Sequence, residues 1–160
     1  MASGKLSPFH PISLIATWFG SGLLPKAPGT WGSLGALPFA YAIAWIGGWQ
    51  LLLAAALLAF VIGIWAGGVY AERMNLKDPG EVVIDEVAGQ WLALLPVALS
   101  LEYYPLAFLA FRFFDITKIW PAKWADQRLS GGLGIMVDDM VAGLYAAIVC
   151  ILAVYLVGSF

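Results

Sequence analysis

Between Lys26 and Glu72 the chain carries no charged side chain. That stretch is too long for one membrane crossing, which needs ~20 residues, and too apolar for a solvated loop. Gly47-Gly48 interrupts it near the middle. The spacing predicts two helices, about 34–46 and 49–68, the first short and carrying Pro38. The rest of the composition agrees. Over the 160 residues, 62% are hydrophobic and 11% charged, and mean hydropathy is +0.87. A water-soluble globule of this size could not cover its surface with so few polar groups. Disorder is excluded for the same reason. The expected class is an all-α integral membrane protein, a bundle of about five transmembrane helices.

Further spans are expected at about 82–101, 104–120 and 139–157. A polar turn at Asp78-Pro79-Gly80 separates the second from the third. Residues 121–136 read as a polar, glycine-containing loop, with a short interfacial helix at 121–129. The apolar stretch 11–24 is too short to cross and suits an interfacial or re-entrant piece. The 160 residues read as one domain, with 1–33 as an N-terminal interfacial segment and 34–160 as the bundle. Met1–Phe9 lacks the apolar core of a cleaved signal. A net charge of −2 offers no basic face to nucleic acid. The single Cys150 makes no intrachain disulfide. A bundle of short helices leaves a homodimer open.

Basic residues set an expected orientation. Lys5, Lys26, Arg73, Lys77, Lys118, Lys123 and Arg128 fall on alternate connections, and the opposite connections carry none. The positive-inside rule then predicts a cytoplasmic N-terminus and an outward C-terminus in a multi-pass protein. That topology brings five acids to one membrane depth at the cytoplasmic face: Asp85, Glu86, Asp115, Asp138 and Asp139. An ionised group within the hydrocarbon costs roughly 2.5–3.5 kcal/mol at a helix centre. Acids at helix N-termini gain roughly 0.3–1 kcal/mol from the helix dipole, which would account for either pair alone. It does not account for Asp115, near a helix C-terminus. Asp85 and Asp139 each precede a glycine by four residues, Gly89 and Gly143. Carboxylate and glycine then share a face along which a neighbouring helix can approach closely.

Converging carboxylates repel one another unless a cation is shared. Hard oxygen donors suit Mg²⁺, and with His10 as the sole histidine there is no zinc set. One or two Mg²⁺ ions are therefore expected on Asp85, Glu86, Asp138, Asp139 and Asp115. Arg112, Asp115 and Lys118 share a broad face of the fourth helix. An intrahelical Arg112–Asp115 pair and a phosphate clamp by Arg112 and Lys118 are both open. Phe19-Gly20-Ser21-Gly22 and Pro28-Gly29-Thr30-Trp31-Gly32-Ser33 read as irregular backbone able to approach an anion.

These motifs, with Phe111-Arg112-Phe113-Phe114-Asp115, Lys118 and the run from Gly131 to Asp139, resemble the phosphatidylglycerophosphatase A family along nearly the whole chain. One departure is Ile119 after Lys118, where the family pattern has proline. The resemblance implies a Mg²⁺-dependent phosphatase of the bacterial inner membrane. Its substrate would be phosphatidylglycerophosphate from the inner leaflet, and its products phosphatidylglycerol and phosphate. Asp85, Glu86, Asp115 and Asp139 are the expected catalytic residues, with Glu86 as general base if it is not a ligand. The phosphate-binding candidates are Arg112, Lys118, Thr30, Ser33, Gly29, Ser21, Lys26 and His10. A water or a carboxylate nucleophile both remain open. The competing readings are a small cation transporter or channel subunit, disfavoured because the outer halves of the spans hold no acids, and a phosphatase for another lipid.

Overall fold

The computed structural model describes residues 6–158, and within them the chain is helical. Lys5, used for orientation, lies outside the described residues. The helices are α1 (Pro11–Ala16), α2 (Pro28–Met74), α3 (Ile84–Leu94), α4 (Tyr104–Thr117), α5 (Ala122–Arg128) and α6 (Gly131–Val157). Short 3₁₀ turns lie at Ser21–Leu23, Leu95–Val97 and Leu101–Tyr103.

Helix α2 is two helices. Gly47 (φ −143°, ψ 22°) and Gly48 (φ 67°, ψ −168°) leave helical geometry inside it, and the positive φ at Gly48 is one that glycine adopts without penalty. The chain must also fold back there. Gly32 packs against Val83 and Gly67 against Val82. In a straight helix those two glycines would stand about 52 Å apart at 1.5 Å per residue. Both ends of α2 therefore lie at the end of the molecule that holds the 75–83 connection.

Three expected boundaries move. The first helix begins at Pro28, so the expected loop over 28–33 is its first turns. Proline suits a first helical position, because its missing N–H would have no partner there. The expected third span, 82–101, is an 11-residue helix, α3. Pro96 lacks the N–H needed to continue it, and the backbone tightens into 3₁₀ turns. The expected loop before 139 is largely helix, because α6 starts at Gly131 (φ 65°). Gly132 lies against the Ile64 carbonyl of α2 so closely that a Cβ would overlap it. There the glycines serve close helix packing rather than flexibility. The short helix expected at 121–129 is α5.

Packing runs on small residues. Ala36, Ala40 and Ala44 form a buried stripe at helical spacing on the first half of α2. Ala56, Ala59, Gly63, Ala66 and Gly67 do the same on the second half. Large apolar side chains face outward instead, among them Trp45, Leu58, Val61, Trp65, Ile151 and Leu152. Such an exterior suits lipid and not water. Helices α2 and α6 are each long and apolar enough to cross a membrane, so the chain reads as a membrane protein.

Candidate active site

The acids gather where α3 meets α6. Asp85 and Glu86 occupy the first turn of α3, where the unpaired N–H groups of the helix start favour an anion. Asp139 does not share that explanation. With α6 starting at Gly131, Asp139 sits about 12 Å along the helix, two turns from its start and outside the first turn where the dipole acts. It faces α3 because Gly89 and Gly143 oppose each other across the contact. A Cβ on Gly143 would overlap the Gly89 carbonyl, and one on Gly89 would come within 2.6 Å of the Asp139 carbonyl. This close approach brings donor oxygens of Asp85, Glu86 and Asp139 within 4.8 Å of one another.

Asp85 and Asp139 are buried, at 8% and 3% exposure. One oxygen on each of the three acids, Asp85 Oδ1, Glu86 Oε2 and Asp139 Oδ2, is buried without a hydrogen-bond donor. Buried carboxylate oxygens are normally satisfied, and three acids that each keep an unpartnered oxygen and offer donor atoms within 4.8 Å of one another are a ready-made hard-oxygen site for a dication. The residues present therefore fit Mg²⁺.

Cationic and backbone groups border the trio. Arg112, on α4, forms an ion pair with Asp115 and lies 3.9 Å from Glu86. Its Nε is buried and has no acceptor. The start of α2 closes another side. A Cβ at Gly29 would overlap Glu86 Oε1 and come within 3.0 Å of Arg112 Nη1, so a side chain there would have to push Glu86 and Arg112 aside. Lys118 belongs to a separate cluster. Its Nζ donates to Asp138 Oδ2 at 2.7 Å and Asp126 Oδ1 at 3.0 Å, and Lys77 Nζ donates to the Asp126 carbonyl at 2.6 Å.

The expected site residues thus divide. Asp85, Glu86, Asp139, Arg112, Asp115 and Gly29 come together, with Asp115 committed to Arg112. Asp138 and Lys118 face each other next door. Thr30 is half-buried in the first turn of α2. Ser33 is buried, and its hydroxyl donates to the Gly29 carbonyl at 2.8 Å. Ser21 donates to the Thr17 carbonyl at 3.1 Å. Helical hydroxyls commonly take the carbonyl one turn back, and these two have done so. His10 caps α1, its Nδ1 accepting from the Ile12 N–H at 3.2 Å. Lys26 is exposed beside the start of α2.

Two residues were missed by sequence reasoning. Gln90 is fully buried with neither amide atom partnered. It lies one turn beyond Glu86, so its i+4 spacing was a usable signal. Asp126 sits in α5 with no pattern tying it to Lys118, and only the fold shows the pair.

Residues 14–154 match the family described as Phosphatidylglycerophosphatase A. The Escherichia coli protein of that name is 38% identical, over 92% of this chain and 86% of its own. The Haemophilus influenzae protein of that name is 39% identical, over 91% of this chain and 90% of its own. A Bacteroides thetaiotaomicron protein, provisionally named a phosphatidylinositol-3-phosphatase, is 39% identical over 96% and 99%. No solved structure matches. The chain belongs to the phosphatidylglycerophosphatase A family and is a phosphatase.

Proposed function

We propose that this chain hydrolyses the phosphomonoester of phosphatidylglycerophosphate, releasing phosphatidylglycerol and phosphate, with Mg²⁺ at the cytoplasmic face of a bacterial inner membrane. The observation that carries the reading is the trio of orphaned carboxylate oxygens beside Arg112. The family membership and the substrate in the names of the Escherichia coli and Haemophilus influenzae relatives support the lipid phosphomonoester. The alternation of basic residues supports the cytoplasmic placement.

Asp85, Glu86 and Asp139 would hold the ion. When bound, Mg²⁺ supplies a Lewis acid that offsets phosphoryl charge and acidifies water. Arg112 orients the substrate: its Nη1 stays on Asp115 while its free Nε donates to a phosphate oxygen. The start of α2 at Gly29 adds the positive end of a helix where phosphate charge would collect. In the alternative in which Asp85 and Asp139 hold the ion without it, Glu86 would instead accept a proton from the attacking water.

The test is phosphate release by purified protein from phosphatidylglycerophosphate, phosphatidate and phosphatidylinositol 3-phosphate, each with Mg²⁺ and with chelator. Preference for the first, lost on chelation, is expected. A preference for the inositol lipid would transfer the reading to the substrate named for the Bacteroides relative.

A further inference from the structure

A cavity of about 270 Å³, lined at one end by Ile84, the residue before Asp85, is used by no step above. Its two long walls are the second half of α2, through Ala55, Ala59 and Ile62, and α3, through Ile84 and Trp91. The walls are antiparallel and in register. Gly63 sits against Ile84, so Ile62 and Ile84 share one end and Ala55 and Trp91 the other. On each helix these residues are separated by about 10 Å of rise. The Ile84 end adjoins Asp85 in the chain, and the groove runs from there away from the acids.

Trp18 and Phe19 form the outer wall. Both have positive φ, 46° and 56°, a region that bulky L-residues seldom occupy and that costs free energy. Strain of this kind gathers at ligand clamps. Trp18 is braced edge-on against Trp91, ring centres 5.5 Å apart. Trp91 in turn spends its N–H on the Ala36 carbonyl at 2.9 Å, leaving an apolar face to the cavity. Every residue lining it is apolar. Phe19 and Leu58, at its mouth, are exposed on the lipid-facing exterior.

We infer that this groove receives one acyl chain of the lipid phosphomonoester whose headgroup the acids and Arg112 hold. The inference rests on the proposed function for the headgroup end and adds a chain-binding site to it. An apolar channel starting at Ile84, one residue before Asp85 in α3, open to lipid and following two helices inward, matches the path of a tail below a phosphate at the interface. Tails are as well solvated by the bilayer as by protein, so the groove selects and positions a chain rather than extracting it by hydrophobicity.

The test is photolabelling of the full chain in phosphatidylcholine nanodiscs with phosphatidate bearing a diazirine in its tail. Adducts are expected on the Ala55–Ile62 stretch and on Trp91, displaced by excess unlabelled phosphatidate but not by extra phosphatidylcholine. Equal displacement by phosphatidylcholine, or labelling spread evenly over the exterior, would overturn the proposal by assigning the groove to bulk lipid. Ala59→Phe, which fills the groove, is expected to lower kcat/KM for a long-chain substrate at least tenfold more than for chainless glycerol phosphate. An unchanged ratio in a folded variant would also overturn it. Competitive groove labelling without turnover on any phosphomonoester would strike the functional reading alone, and turnover without groove labelling would strike the groove alone.

Discussion

Asp138 and Asp139 are consecutive, buried and on one helix, yet they meet opposite circumstances. Asp138, at 6% exposure, ends 2.7 Å from the Lys118 ammonium. Asp139, at 3%, ends among Asp85 and Glu86; each aspartate keeps one buried oxygen that no donor reaches, but of the two Asp138 alone has an ammonium on its other oxygen. The rotation of about 100° per residue around a helix, implicit in 3.6 residues per turn, separates them. One carboxylate has its countercharge supplied by the protein. The other has none, and its burial calls for a proton or for a cation from outside. The pair distinguishes a structural ion pair from a ligand site, although in the sequence both are an aspartate in Val-Asp-Asp-Met.

The sharpest way to break that distinction is to neutralise each in turn. Asp139→Asn is expected to lower phosphate release by roughly 10²–10³-fold or more. Its thermal stability without metal should be unchanged or higher, because a like charge leaves the trio. Asp138→Asn should retain turnover within about tenfold, in the range of outer-shell changes. Equal loss in both variants, measured as kcat/KM in mixed micelles, would erase the difference.

A second effect follows from binding alone. At a Mg²⁺ concentration 100 times Kd, the wild-type chain should gain about 2.7 kcal/mol of unfolding free energy. Asp138→Asn should gain the same and Asp139→Asn little. A thermal melt in detergent with and without Mg²⁺ reads this, and a gain of wild-type size in Asp139→Asn would remove Asp139 from the ligand set.

The glycine contact between α3 and α6 sets the trio's spacing. Gly143→Ala pushes a Cβ into the Gly89 carbonyl and is expected to cost about 1–3 kcal/mol of stability. It should weaken Mg²⁺ binding as well, since Asp139 retreats from α3. A destabilised variant with undiminished Mg²⁺ affinity would show that the contact matters for packing only.

Much of this was legible in the sequence. The glycine pair at 47–48 stood out because nothing polar surrounded it, and the fold reverses there. The spacing of Asp85 to Gly89 and of Asp139 to Gly143 marked the faces on which α3 and α6 meet. Helix limits were harder to read. Glycine serves tight helix contacts within membranes as well as loops, so the sequence of 131–136 suggests a loop, whereas in the fold Ile64 and Gly68 lie against Gly132. The hydroxyls of Ser21 and Ser33 resembled phosphate ligands because composition does not reveal that the carbonyl one turn back already takes their protons. Nor could spacing divide the five acids into a trio, the Arg112 pair and the Lys118 cluster, because that division depends on three helices meeting.

The smallest expected effect lies inside the Lys118 cluster and separates its two carboxylates. The Lys118–Asp126 pair has side chains 31% and 36% exposed, whereas the Asp138 side chain is 8% exposed. Water and salt screen the first pair, so Asp126→Asn should cost under ~1 kcal/mol. Asp138→Asn should cost about 1–2 kcal/mol, below the 3–5 of a fully buried pair because Lys118 itself is part-exposed. Raising the ionic strength should shrink the Asp126 effect and leave most of the Asp138 effect. Chemical denaturation of both variants at low and high salt measures this. A salt-insensitive Asp126 effect as large as that of Asp138 would mean that α5 is held by a buried charge network rather than by a surface pair.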